Sequence, residues 1–384
     1  MYRIAVYLTS IVLVAAAFAS AHAQTAARGQ PSPQTSAYAK YRNQVNKNVV
    51  SIISGNPNGG FLYTAHDIAA VLDRTSDIRV MPIVGKGGAQ NVKDVLYLKG
   101  IDMGIMHPHV IKYFKTTGEA GPNIDKRIAY ITTLFTDELH LVARPEIKSF
   151  DDLRGKRVNF SNKGSGTQIT MRLIFKALGM KVEEFNMGQT DAFEMMKRGE
   201  LDATACTCAK PLRSVRSLTK DTGFQLLTVP YSPELEDTFF PGTLTHNDYP
   251  ELIPAGQSID TVSVQTILGV YNWRTRTTER YRRVTNFVEK FFESINEFHK
   301  PPRQPKWKSI NIAARVKGLQ RFPPAAEWLK RNAATRNNVA GIRVNRKLAR
   351  RQAARAAPTS PAEQEKLFKQ FLKWVQRQPQ PKRN

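Results

Sequence analysis

From residue 48 onward the chain alternates short apolar, β-branched runs with stretches of ten to fifteen residues whose apolar positions recur at helical spacing. Asn48–Ser54 (NVVSIIS) reads as a buried strand closed by the glycine-rich turn Gly55–Gly60. A helix to about Arg74 follows, with Ile68, Val71 and Leu72 on one face. Ile78–Val84 is the next strand, broken by Gly85-Lys86-Gly87-Gly88, and a helix carrying Val92, Val95, Leu96 and Leu98 leads to a third strand, Ile101–Met106. Such βαβα order implies a mostly parallel sheet covered by helices.

A second cycle opens near Leu139. Leu139–Ala143 is a strand, Phe150–Gly155 a short helix with a glycine stop, and Lys156–Ser161 a strand again. Gly164-Ser165-Gly166-Thr167 opens a helix that runs to Ala177-Leu178-Gly179. Strand 181–186, helix 189–199 and strand 201–206 keep the rhythm; 261–271 returns as strands, and Thr277–Phe298 is a long amphipathic helix. Two βα series predict two lobes: 48–136 with 245–330 as the first, 137–244 as the second. No short-period repeat is present.

The ends differ from this body. Met1-Tyr2-Arg3, the apolar stretch Ile4–Ala19 and the small-residue site Ala21-His22-Ala23 have the order of a secretory signal peptide cleaved before Gln24, which predicts a periplasmic protein. The apolar run falls short of the roughly 20 residues a spanning helix needs. Residues 24–47 are polar with little periodicity and read as a flexible leader. Of the net charge of +25, +18 falls in residues 301–384, so the body is only mildly basic. A basic tail on an exported chain argues against nucleic acid and for an anionic membrane or envelope surface, or for a solvated tail with no partner. Within it, Ser360, Pro361 and Glu363 start a basic amphipathic helix over 361–377, which fits either a membrane surface or docking on the protein itself.

The candidate chemistry lies in the turns. In open α/β sheets ligands bind beyond the carboxyl ends of the strands. Three glycine-rich turns occupy that edge, each leading into a helix whose first N–H groups favour an anion. Lys86 and Lys163 lie inside two of them and Lys210 follows a strand end, a possible cationic rim. Phe61 and Tyr63 offer an aromatic wall, and His107-Pro108-His109 ends the third strand with a polar contact. Cys206 and Cys208, two apart in a strand, read as buried thiols rather than a bridge or a metal site, because linking neighbours so close demands strained geometry. Neither a metal ligand set nor a cofactor fingerprint is present. Ser165 is no nucleophile elbow, since Lys163 stands where G-x-S-x-G needs glycine. No catalytic residue is predicted.

Residues from about 49 to 330 resemble the TAXI family of extracytoplasmic solute receptors. The resemblance rests on ISGNPNGGFLYTAHDIAAVL (Ile53–Leu72), on Gly87-Gly88-Ala89-Gln90-Asn91, on FDDLRGKRV (Phe150–Val158) followed by Gly164-Ser165-Gly166-Thr167, and on Gly199-Glu200-Leu201-Asp202-Ala203. It implies an α/β, two-lobed periplasmic-binding-protein (type II) fold with a hinge, here followed by the basic, partly helical tail. It further implies a small organic anion as ligand, an amino acid or a di- or oxo-carboxylate, and a TRAP-type integral membrane transporter as partner. The alternative roles are a ligand-sensing adaptor for a membrane kinase and, behind it, an exported enzyme on the same fold. By position, Gly59, Gly60, Tyr63, Gly88, Asn91, Ser165, Gly166 and Thr167 are the implied contacts. Phe61-Leu62, His107-Pro108-His109 and Ala209-Lys210-Pro211 depart from the family pattern.

Overall fold

The computed structural model describes residues 33–332 apart from Asn58. It divides into two units, the first ending at Asn48 and the second starting at Val49. In the first unit α1 (Pro33–Asn46) is a helix, within the residues expected to form a flexible leader. The segment contains no glycine, and its only proline sits at the first helical position, where the missing N–H costs nothing. The expected signal segment 1–23, residues 24–32 and the tail with its expected helix 361–377 lie outside the described residues.

The second unit is built on a ten-stranded sheet in the order β2-β1-β3-β10-β4-β7-β5-β6. One half follows the first βα series: β1 (Val49–Ile53), α2 (Gly60–Thr75), β2 (Arg79–Ile83), α3 (Gly88–Tyr97), β3 (Met103–Met106) and α4 (Pro108–Thr117), ending in the short α5 (Ile124–Arg127). The strands β2, β1 and β3 are parallel. The other half holds β5 (Arg157–Asn159), α6 (Gly166–Ala177), β6 (Glu183–Phe185), α7 (Gln189–Lys197) and β7 (Ala203–Cys208), again with parallel pairing. After the short α8 (Arg213–Arg216), β8 (Gln225–Leu226) pairs with β4 and β9 (Phe240–Thr245) with β10. Each half buries apolar residues on both faces, as parallel strands require. In the first half α2 and α9 (Glu279–Glu293), with α10 (Pro323–Arg331), cover one face and α3 and α4 the other. In the second half α6 and α7 lie on opposite cores.

Two long antiparallel strands join the halves. β4 (Ile128–Ala143) pairs with β10 (Ser258–Tyr271) from Ile128 to Glu138, and with β7 from Glu138 to Ala143. Glu138 therefore stands opposite both Ser263 and Cys208, at the point where β4 passes from one half to the other. The expected lobe boundary at 136/137 falls inside this unbroken strand. The adjacent carboxylates Asp137 and Glu138, which in the sequence fit either a lobe boundary or salt bridges, are both buried and paired, with His107 and Lys306 respectively.

α9 is also shorter than its apolar pattern predicts. It starts at a Thr278 cap that accepts from the Tyr281 amide, and the chain leaves helical geometry at Ser294. A 3₁₀ turn over Ile295–His299 then tucks Phe298 against Trp307, ring centroids 4.4 Å apart.

Candidate functional site

The starts of four helices converge where the two halves meet. α2 begins after Gly59, α3 after Gly87 and α4 after His107, none with a side-chain cap, while α6 begins after Ser165, whose hydroxyl accepts from the Gln168 amide. Uncapped starts leave first-turn N–H groups without intrahelical partners and carry partial positive charge. Each start follows a parallel strand, so sheet topology alone brings the glycine-rich turns to one edge. Between them lies a small cavity of about 50 Å³. The first half contributes Gly55, Asn56, Gly59, Gly60, Phe61, Lys86, Gly87, Gly88 and His107 to its wall; the second contributes Ser161, Ser165, Gly166, Thr167 and Cys206–Ala209. Asp137, on the crossing strand β4, forms part of the floor.

The halves touch directly. The Gln90 amide donates to the Gly164 carbonyl at 2.8 Å. A Cβ on Gly88 would lie 2.3 Å from the Gly166 Cα, so only glycine permits this approach. Gly87 has φ +84°, a second position where glycine is required. His109 of α4 and Thr170 of α6 share a hydrogen bond of 3.0 Å. Burial, reinforced by His107, holds the His109 imidazole well below its usual range. Ser161 is buried in the cavity wall with φ +63°, a strained backbone of the kind found at binding sites. Thr167 accepts from the Thr207 amide at 2.9 Å and so ties the α6 start to the end of β7.

At the floor, His107 Nε2 meets Asp137 Oδ2 at 3.0 Å, both side chains almost completely buried. The His107 ring lies 5.3 Å from those of Phe61 and His109. Beside it, burial raises the Glu138 carboxyl, against the opposing pull of Lys306 and Lys210. Among the described residues no group of three or more His, Cys, Asp or Glu side chains could hold a metal ion.

Residues 53–330, nearly three-quarters of the chain, match a known protein family. The chain belongs to the NMT1-like family. Among solved structures it is similar to the periplasmic binding protein BugD, at 11% identity over 76% of this chain and 95% of that one, with a TM-score of 0.45. MatC from Rhodopseudomonas palustris with bound malate matches at 14% identity over 76% and 99%, with a TM-score of 0.43. An ancestral arginine-binding protein bound to arginine matches at 16% over 66% and 96%, with a TM-score of 0.40.

In this NMT1-like protein the structure gathers most of the residues singled out from sequence, but not all. Asn91 is fully buried behind the wall, where Nδ2 donates to the carbonyls of Ser54 and Ile105 and so fixes the ends of β1 and β3. Gln90 bonds Asp94, and Tyr63 is about half exposed outside the wall. The cationic rim does not assemble. Lys86 reaches the mouth of the cavity; Lys163 is exposed outside the wall; Lys210 is paired with Asp248 at 3.2 Å and donates to the Thr243 carbonyl. The two cysteines are bridged, not free thiols, and both line the cavity. Their Cα atoms are 5.6 Å apart, within bridging reach, so the i, i+2 spacing does not forbid the bond. Asp137, Ser161 and Thr207 escaped the sequence reading. Nothing in the sequence around any of the three marks a binding role.

Proposed function

We propose that the protein is a periplasmic solute-binding receptor of the TAXI class, catalysing nothing, that captures a small organic anion and delivers it to a TRAP-type membrane transporter. The observation that carries this reading is the convergence of helix starts from both halves on one cavity. Preorganised N–H groups and partial positive charge hold carboxylate without a metal or a lysine. The exported location follows from the signal-peptide pattern at residues 1–23. Among the described residues no helix is long and apolar enough to cross a membrane.

Capture works by hinge closure about β4 and β10. A ligand pocket for a small molecule normally spans ~300–1,000 Å³, far above the space between these touching halves, so capture requires the halves to part. Parting the Gly88–Gly166 and Gln90–Gly164 contacts admits the solute, and closing on it stabilises a shape that the membrane partner reads.

The test is a thermal-shift screen of residues 24–384 against amino acids, dicarboxylates, oxo-acids and phosphate esters. At a hundredfold excess over Kd a binder adds about 2.7 kcal/mol of stability. A hit among the organic anions supports the receptor reading; no shift with any of them defeats it.

A further inference from the structure

The floor of the cavity differs in character from its upper wall. His107 and Asp137 are 2% and 0% exposed, and each keeps one polar atom, Nδ1 and Oδ1, with no hydrogen-bond partner. Such atoms are rare in folded interiors and call for an explanation. The outer nitrogen of the couple, Nε2, carries its proton towards the carboxylate. Nδ1 faces the start of α6, where a Cβ on Gly166 would lie 2.6 Å from it. With the proton on Nε2, Nδ1 presents a lone pair. The floor thus offers two acceptors and one negative charge, with Lys86 the one lysine or arginine in the wall and that at the mouth. The upper wall offers donors.

A dicarboxylate would set its second carboxylate against Asp137. A zwitterion satisfies both ends. Resting on the receptor reading above, we propose that His107 and Asp137 form an ammonium subsite: the solute carries a protonated amine that donates to Asp137 Oδ1 and His107 Nδ1, while its carboxylate sits on the starts of α2, α3 and α6.

Isothermal titration calorimetry on the full mature chain tests this with skeleton-matched series: L-alanine against L-lactate, pyruvate and propionate, and L-glutamate against 2-hydroxyglutarate, 2-oxoglutarate and glutarate. The amine-bearing member of at least one series is expected to bind about 100-fold or more tighter than its amine-free counterparts, as the loss of a buried charge-assisted contact implies. Asp137→Asn should erase most of that preference by weakening the amine-bearing member alone. Amine-free acids binding as tightly or tighter would overturn the proposal and leave the receptor reading standing. A folded Asp137→Asn protein that keeps the preference would also overturn it, and if that variant does not fold, His107→Asn supplies the same comparison. Binding of none of these compounds to the unaltered protein would remove proposal and receptor reading together.

Discussion

Gly88→Ala isolates closure from everything else the cleft does. The added Cβ would stand 2.3 Å from the Gly166 Cα and 2.5 Å from its amide nitrogen, both backbone atoms that no side-chain rotation can move away. Forcing extra volume into a packed contact costs about 1–3 kcal/mol. The cost falls only on the state in which the halves touch, because parting them removes the neighbour. Energy placed on one of two states appears as lost affinity for whatever that state binds, here about 5- to 150-fold. Alanine also favours the helix that residue 88 begins, so the fold itself gains slightly if anything. Titration calorimetry with the strongest hit of the thermal-shift panel measures the affinity. Small-angle X-ray scattering of the ligand-free protein, expected to report a larger radius of gyration for the variant, measures closure with no ligand at all. Equal affinity and equal radius in both proteins would refute the idea that the Gly88–Gly166 contact belongs to a closing clamp.

Three other outcomes follow from the geometry. Lys86→Ala should weaken anion binding modestly and mostly at low salt, whereas Lys163→Ala, exposed outside the wall, should leave the Kd from titration calorimetry unchanged. Burial lowers His140 from 6.5 to about 4, with Nδ1 donating to the Cys206 carbonyl and Nε2 accepting from the Tyr249 hydroxyl. Below pH 6.5 the unfolded chain then binds a proton the folded one refuses, so stability falls as pH drops to about 4 and levels off beneath it, by about 3 kcal/mol for this residue; urea unfolding at stepped pH should show a shallower fall for His140→Gln. Finally, intact-mass analysis after alkylation should find no modified cysteine in the untreated protein and two after reduction; modification without reductant would deny the Cys206–Cys208 bridge.

The elements were legible where local sequence decides them. Alternating runs bounded by glycine located the parallel strands and the helices between them to within a few residues, and the three turns predicted to share an edge do share it. What escaped depends on distant partners. Asp137 and Glu138 interrupt an apolar run, and the sequence alone does not reveal their burial, because the residues that hold them, His107 and Lys306, lie 30 and 168 positions away. The same ignorance of partners made Lys210 look free when Asp248 neutralises it. Where α9 ends early a tertiary contact is present as well, with Phe298 packed on Trp307 from the 3₁₀ turn that follows. Ser161 takes positive φ with no glycine or asparagine to announce it.

The position of Asp137 gives the long strands a role beyond connection. It sits on β4 beside Glu138, the residue opposite both β10 and β7, so its carboxylate belongs to the crossing between the halves. His107 reaches it from the first half, while Thr207 and the bridged cysteines approach from the second. A solute anchored there has helix starts above it that come from both halves, and it completes its contacts only when they meet. Binding at the floor and closure of the clamp are then linked by the same contacts, so a substitution that weakens the floor must also weaken closure. Lys306 from the first half and Lys210 from the second both oppose the effect of burial on Glu138, so in the proposed clamp a change in the separation of the halves would change the field at this residue.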